Sequence, residues 1–412
     1  MKLVWLSHFV PFPPRGGARQ RAYNLLRHVS RKHETELIAL NLLGESRDRV
    51  EAHKAELEKL CRRVEIWDTP YPWRGARWWT QLSWSPLHYH HYSAHSIWSR
   101  TLAHRWQEAL QRNTGALVDV QTIDLARYFP PLRNFRKVLS HPNCESFMAE
   151  RRAQVETNIL KKAYLRNQAR KIARLEREFC PHFDANLAVS ELDAERLKLQ
   201  SPGAHFHVVE NGTDTDYFVP STQAPEPNSL VFAGGLSWYP NISGMRFFIT
   251  EIWPVLKSRC QGIRLCLAGR SPVAELTQLA ERDPDITLVP DPADIRPSVW
   301  RASVFICPII DGGGTRLKIL DALAMGKAVV STTIGREGLA VEHGKHLLVA
   351  DSPREFANMV LTLLADEPLR RRLGEQGRAQ VEKLYSWKVI GEHLEKAYSC
   401  ALGENPCAQL SA

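Results

Sequence analysis

The residues best equipped for chemistry lie in "CPIIDGGGTRLKILDALAMGKAVVST", residues 307–332. Gly312, Gly313 and Gly314 lead through Thr315 into an amphipathic helical pattern carrying Arg316, Lys318 and Asp321. Backbone N–H groups of a glycine run at a helix N-terminus can cradle an anion or a hydroxyl-rich group. The Gly-Lys-Ser/Thr ending of a P-loop is missing, so the stretch is not that motif. Arg316 and Lys318 could compensate a negative charge held in a partly dry site. Lys318 also stands three residues before Asp321, where a local ion pair is the simpler reading. The simpler reading of the glycines is a turn capped by Thr315.

Other candidates sit where apolar runs end. Gly16 and Gly17 follow "KLVWLSHFV" and permit close approach of a ligand to the backbone. Arg15, Arg19 and Arg21 flank them; a tight turn with surface arginines is the alternative. His141, Asn143 and Glu145 end the run "RKVLSHPN", and Gln121 and Asp124 hold a comparable place in "DVQTIDLARY". A lone histidine is more often structural than catalytic. Gly235 closes "SLVFAGG", and Glu337 and Gly338 lie in "GREGL". Ser190, Glu191 and Asp193 of "SELD" read as a helix cap with first-turn carboxylates.

These positions need elements to hold them. In the first half, "KLVWLSHFV", a helical pattern through "RQRAYNLLRHVSRK" and "TELIALNL" read as strand, helix and strand, which favours a parallel sheet. "GALVDVQT" and "RKVLSHPN" read as further strands, and 145–180 as one long basic helix. The second half restarts with "SLVFAGG", then a helix over "MRFFITEIWPVLKSRC", then "IRLCLAGR", "ITLVP", "ASVFICPI", "AVVST" and "HLLVA" as buried strands. The Pro-rich stretch 219–229 is the linker candidate. The expected class is α/β with two doubly wound domains and a cleft between them, where ligands meet strand carboxyl ends.

Composition agrees. The 412 residues are 44% hydrophobic and 24% charged, enough for two globular domains. No apolar run reaches the roughly 18–20 residues of a membrane span. The opening "MKLVWLSHFVPFPP" is interrupted by His8 and prolines and reads as a buried strand rather than a signal peptide. The eight cysteines form no C-x-x-C pair, and several, including Cys266 and Cys307, sit in apolar runs. That favours a reducing cytoplasm over a disulfide framework or zinc site. The net charge of +9 is lopsided: residues 1–200 hold 33 Lys and Arg against 21 Asp and Glu. The first half therefore faces something anionic. Residues 64–106 add Trp67, Trp73, Trp78, Trp79, Trp84, Trp98 and Trp106 among Arg and His. Such a segment can rest on an anionic membrane surface, or can use its tryptophans as core.

Four stretches together resemble the family-4 glycosyltransferases of the GT-B fold. They are "NLAVSELDAERL" with "HVVENGTDTDYFVP", "LVFAGGLSWYPNISGMRFF", "GGGTRLKILDALAMGKAVVSTTIGREGL" and "YSWKVIGEHLEKAY", spanning most of residues 184–400. The N-terminal half is similar less specifically, and bacterial exopolysaccharide enzymes are the expected subgroup. The resemblance implies an acceptor-binding domain at 1–215, a nucleotide-sugar domain at 216–385 and a helix crossing back over 386–412. It implies transfer of a hexose from a nucleotide diphosphate sugar to a saccharide or lipid-linked acceptor, with retention and without metal or cofactor. Donor contacts fall to Gly16, Gly17, Gly235, Gly312, Gly313, Gly314, Thr315, Asp321 and Glu337. Acceptor contacts fall to Arg15, Arg19, Gln121, Asn143 and Glu145. His141, Arg316 and Lys318 are the catalytic candidates.

Two departures stand out. In the family's Glu-x7-Glu pattern Asp321 takes the second, ribose-binding place, and Gly313 stands where the first, sugar-binding carboxylate belongs. The loop "GGLSWYPNISG" lacks the Arg and Lys that often hold the diphosphate, which is why Arg316 or Lys318 is expected to take over. The letters Asp-x-Asp occur in "TDTDY", within the Asn-Gly segment. A non-catalytic GT-B subunit and a sugar-nucleotide 2-epimerase remain alternatives. An NAD oxidoreductase lacks its G-x-G-x-x-G, and a nucleic-acid binder leaves the glycine loop unexplained. The expected location is the cytoplasm, with contact to the inner face of the membrane through the basic half.

Overall fold

The computed structural model describes residues 1–70, 76–128 and 134–404, without side chains at 76–78 and 81. Trp73, Cys407 and the Trp78 side chain lie outside what is described. The chain forms two units. One comprises Met1–Glu210 and the chain from Ile390 onward; the other is Asn211–Val389.

The first unit holds strands β1 (Lys2–Ser7), β2 (Glu34–Asn41), β3 (Arg63–Asp68), β4 (Leu117–Val120), β5 (Arg136–His141), β6 (Ala185–Ala188) and β7 (Phe206–Val208). They lie in the order β3-β2-β1-β4-β5-β6-β7, with parallel pairing throughout. Near-continuous apolar runs suit strands covered on both faces. β4 is buried along its whole length, and β1 and β2 are buried after their first residue. The order reverses at β1, flanked by β2 and β4, so a crevice opens outside their carboxyl ends.

The long helix expected over 145–180 is two helices, Glu145–Val155 and Ile159–Phe179. Glu156 is extended, and Asn158 caps the second helix by accepting from the Lys161 N–H at 3.0 Å. A strong capping residue overrides the continuing charge pattern.

The second unit holds β8 (Ser229–Gly235), β9 (Arg264–Arg270), β10 (Ile286–Pro290), β11 (Val304–Cys307), β12 (Ala328–Ser331) and β13 (Leu348–Val349). Their order is β10-β9-β8-β11-β12-β13, again parallel. The Pro-rich 219–229 stretch lies inside this unit and leads into β8, pinned where Trp300 Nε1–H donates to the Val219 carbonyl at 2.8 Å. The helix expected from Met245 begins earlier, at Tyr239, and passes through a π turn at Phe248–Ile252 before ending at Arg259. No two described cysteines are joined by a disulfide.

The helix Trp387–Leu402 buries Ile390, Leu394, Ala397, Tyr398 and Ala401, an apolar stripe at helical spacing. Tyr398 O–H donates to Asp119 at 2.5 Å, His33 Nε2 lies 2.8 Å from Glu395, and His393 lies 2.8 Å from Glu210. Gly391 faces the His28 ring, and a methyl group there would overlap it.

Candidate functional site

The richest cluster stands at the carboxyl ends of β8, β11 and β12 in the second unit. After β11 the chain runs through Pro308 to Arg316 and enters the helix Leu317–Ala324. Gly312 and Gly314 have φ of +99° and +70°, which restricts both places to glycine at low cost. Gly312 also approaches the first turn of the helix after β8, where an added Cβ would come within 2.9 Å of Pro240. Gly244, on the same helix, packs against the Pro308 carbonyl so tightly that a Cβ would lie 2.7 Å from it. The glycine loop and the helix that follows β8 are therefore packed tightly together.

Arg316 and Lys318 point to different tasks. Arg316 is buried and donates to the carbonyls of Gly313, Gly314 (2.9 Å) and Asp311 (3.3 Å), so its guanidinium shapes its own loop. Lys318 reaches across to β8. Its ammonium donates to Asn241 Oδ1 at 2.5 Å and stands 4.1 Å from the Phe232 ring centroid. Asn241 in turn donates to the Gly235 carbonyl at 2.6 Å, which places Gly235 in the same corner. A Cβ at Gly234, whose φ is +153°, would lie 3.1 Å from Nζ. Burial lowers the Lys318 pKa to about 8. The local pair with Asp321 does not form: Asp321 accepts from Thr213 Oγ1 at 2.6 Å instead. Burial pushes Asp321 up to about 7, the Thr213 bond acting in the opposite sense.

The Asn-Gly-Thr segment braces this corner. Asn211 donates to Thr315 Oγ1 at 2.6 Å, and the Thr213 N–H donates to the Tyr385 carbonyl at 2.8 Å. Gly212 lies between, where a Cβ would be 2.8 Å from the Trp387 ring. Beyond β12, Thr332 donates to the Ile309 carbonyl and accepts from the Gly335 N–H at 2.9 Å, tying the turn that carries half-buried Glu337 to the glycine loop. No side chain fills the place of Gly313. The carboxylate nearest in sequence is Asp311, buried and accepting from the Gly312 N–H at 2.5 Å.

The first unit presents its own set at strand ends. Gly16 has φ +91° and precedes the helix Gly17–Val29, with Arg15 exposed beside it. Arg19 pairs with Glu45 at 3.1 Å. Arg21 is buried and donates to the carbonyls of Val209 (2.7 Å) and Glu210 (2.5 Å). Gln121 is also buried, donating to Asp119 Oδ1 at 2.6 Å and to Ser140 at 3.3 Å. Burial pushes Asp119 up to about 6, opposed by hydrogen bonds from Tyr398 and Gln121.

His141 needs correction as a strand-end substrate contact. It is only 2% exposed, with Nε2 3.2 Å from Asn186 Oδ1 and Cys180 Sγ at 3.7 Å. Burial lowers it to about 4, so the ring is neutral and serves the sheet. Gln121 is likewise committed to the interior. Asn143 donates to Glu145 at 2.9 Å, and burial together with Asp124, Glu176 and Asp193 pushes Glu145 up to about 7. Asp124 accepts from Ser93 and lies 2.6 Å from His91 Nε2.

The structure thus gathers Gly235, Gly312, Gly313, Gly314, Thr315, Arg316, Lys318 and Asp321 into one corner of the second unit. Arg15, Gly16, Gly17, Arg19, Asn143 and Glu145 belong to the first. Sequence reasoning passed over Asn241, Phe232, Asp119 and Tyr398. Asn241 carried a signal, since it stands in the loop whose missing cations made Lys318 a candidate.

Residues 227–366 match the family described as glycosyl transferases group 1. The chain is 29% identical over 140 residues to an uncharacterized 44.6 kDa protein in the cps region of Klebsiella pneumoniae, covering 32% of this chain and 36% of that one. It is 24% identical over 235 residues to the phosphatidyl-myo-inositol mannosyltransferase of Mycolicibacterium smegmatis, covering 55% and 59%. It is 27% identical over 133 residues to the capsular polysaccharide biosynthesis glycosyltransferase CapM of Staphylococcus aureus, covering 30% and 33%. In each case the chain spans less than two thirds of the relative's length. Among solved structures, sucrose-phosphate synthase from Thermosynechococcus elongatus superposes with a TM-score of 0.73 at 16% identity, covering 98% of this chain and 100% of that one. Anabaena HepE in complex with UDP gives 0.68 at 15% identity, covering 97% and 100%. The fold is GT-B, and within it residues 227–366 are similar to the glycosyl transferases group 1.

Proposed function

We propose that the protein is a glycosyltransferase that moves a hexose from a nucleotide diphosphate sugar to a hydroxyl of a saccharide or lipid-linked acceptor in polysaccharide assembly. One observation carries the reading. The Lys318 ammonium is held at the end of β8, beside Gly234 and Gly235, with no carboxylate paired to it among the described residues. A half-buried cation flanked by glycines and by the start of the helix Leu317–Ala324 suits a diphosphate. It fills the electrostatic gap left by the missing Arg and Lys of the β8 loop.

In this reading the glycine loop, shaped from within by Arg316, offers backbone N–H groups to the donor. Asp321, oriented by Thr213, accepts from the ribose hydroxyls. Lys318 stabilises the charge that develops on the departing diphosphate, the main catalytic term. Arg15 and the Gly16–Gly17 turn are proposed to meet the same donor or the acceptor, with Asn143 and Glu145 on the acceptor side. Retention and independence from metal belong to the proposal. They are checked by the anomeric coupling of the first-formed product and by activity in chelator.

HepE is solved in complex with UDP and with UDP-glucose, which makes uridine nucleotides the first donors to try. Thermal shift with UDP, GDP, ADP and their sugars is the direct test, because a ligand bound only by the native state raises Tm. Stabilisation by one nucleoside diphosphate supports the reading, and none with any of the three overturns it. A second reading, a subunit that binds donor without transferring it, is favoured by Gly313, which leaves the sugar-facing place without a side chain. Nucleotide binding without turnover across a panel of saccharide acceptors would select it.

A further inference from the structure

The first unit carries an exposed apolar and basic surface that the donor corner does not use. Trp79, Trp84, Leu87 and Tyr89 are 62%, 63%, 77% and 58% exposed, and Ile159 and Leu160 are 81% and 83% exposed. These are large side chains whose burial would be worth a great deal, yet they face water. The other tryptophans of the same segment behave differently. Trp67 packs edge-on against Trp106 at 4.6 Å in the core, so part of the segment is core and part is surface.

Trp84, Leu87 and Tyr89 lie in or next to a stretch that packs on the helix carrying Ile159 and Leu160. The stretch 85–92 lies across the helix Ile159–Phe179, fastened at several points. Ser85 and Tyr164 hydroxyls meet at 2.8 Å, Lys171 donates to the carbonyls of Ser85 (2.7 Å) and His88 (2.5 Å), and the Tyr92 N–H donates to Gln168 at 3.0 Å. Those bonds use the inward side of the helix. On its outward side Ile159, Arg166, Arg170, Arg174 and Arg177 follow one another at spacings of three, four or seven, which puts them in a single stripe. All are exposed. Arg174 stacks over the Tyr89 ring at 4.8 Å, joining the stripe to the aromatic group. Arg166, Arg170, Arg174 and Arg177 form no ion pair with the described residues.

We infer that this face rests on an anionic lipid bilayer. Trp84, Leu87, Ile159 and Leu160 would enter the headgroup boundary, and the arginine stripe would lie along the phosphates. Aromatic rings at the interface beside basic residues are the composition of surface-bound, non-spanning segments. No described helix is long and apolar enough to cross a membrane, so attachment through this face would be peripheral. The excess of Lys and Arg over residues 1–200 adds attraction of the same sign. A second copy of the chain would bring the same stripe against itself, which the like charges oppose.

The test uses the full chain and vesicles of phosphatidylcholine with and without phosphatidylglycerol, read by co-sedimentation at two salt concentrations. The expected result is binding to the anionic vesicles only, weakened by salt, with a blue shift of tryptophan emission. Each arginine near the surface contributes a factor of about five, so Arg166→Glu with Arg170→Glu should weaken partition by at least about 25-fold. Trp84→Ser with Leu87→Ser should reduce it and diminish the emission shift. Both sets are surface changes, so an unaltered Tm and unaltered nucleotide stabilisation report intact folding and keep this test separate from the donor reading. Absence of binding to anionic vesicles overturns the inference. So does binding that neither double variant alters, or binding to a polyanion such as heparin that Trp84→Ser with Leu87→Ser leaves unchanged while vesicles are ignored.

Discussion

Replacing Lys318 by methionine keeps most of the side-chain volume and removes only the charge and its donors. The ammonium is already partly desolvated, as its lowered pKa of about 8 reports, so an arriving phosphate need not strip it of a full water shell. It is also fixed, by Asn241 at 2.5 Å and the Phe232 ring at 4.1 Å. A charge-assisted hydrogen bond in such a place is worth about 2–3 kcal/mol, or roughly 30- to 150-fold in dissociation constant. The pH dependence supplies a second readout. The diphosphate binds the protonated amine, so affinity should be steady below about pH 7 and decline as pH rises through about 8. In Lys318→Met that decline should vanish. Calorimetry with whichever nucleoside diphosphate stabilises the native protein, at pH 6.5, 8 and 9.5, measures both effects. A variant with unchanged affinity, or with the same decline at high pH, would refute the assignment and leave Lys318 as a prop for Asn241.

Three further outcomes are expected. Thr213→Val removes the hydroxyl that donates to Asp321, so the carboxyl, already pushed up to about 7 by burial, should rise further; nucleotide affinity should then be lost at a higher pH on acidification, as calorimetry between pH 5.5 and 8 would show. Tyr398→Phe strips a donor from buried Asp119 and should cost about 1–3 kcal/mol in urea denaturation at pH 7.5. Because burial raises Asp119 to about 6, the native state holds its proton more tightly than the unfolded chain. Its contribution to stability therefore falls as pH rises from about 4 to 6, and in Tyr398→Phe that fall should extend to higher pH. Gly391→Ala forces a methyl group into the His28 ring and should lower stability by about 1–3 kcal/mol, measured the same way.

Much of the architecture was legible because it is written locally. "SLVFAGG" became β8 over all of its residues, and the apolar runs of the second half became a parallel sheet, since a buried parallel strand needs little more than a short apolar run between turns. The single helix expected over 145–180 failed at Asn158, where one cap outweighed a continuing pattern. The site was legible only as far as its glycines and charges. What Lys318 touches depends on Asn241, 77 residues earlier, and what Asp119 touches depends on Tyr398, 279 residues later. Composition and spacing carry no information about such meetings. Arg316 and Lys318 were indistinguishable as cations, and only the direction of each side chain separated the loop's internal staple from the free-facing charge. His141 misled for a related reason, because a strand end is exposed or enclosed according to its neighbours, here Asn186 and Cys180.

The helix Trp387–Leu402 sets a timetable for biosynthesis. The sheet of the first unit is complete by Val208, yet Asp119 waits for the Tyr398 hydroxyl, and His28 and His33 wait for Glu395. While the second unit is being translated, the first must persist with a buried carboxylate short of a donor and an apolar flank open to solvent. Domains made early usually fold early. Here the first unit to emerge from the ribosome is the last to be finished. A chain stalled shortly before residue 390 should therefore expose the groove of Ile390, Leu394 and Ala397 to chaperones, and the second unit should acquire protease resistance first.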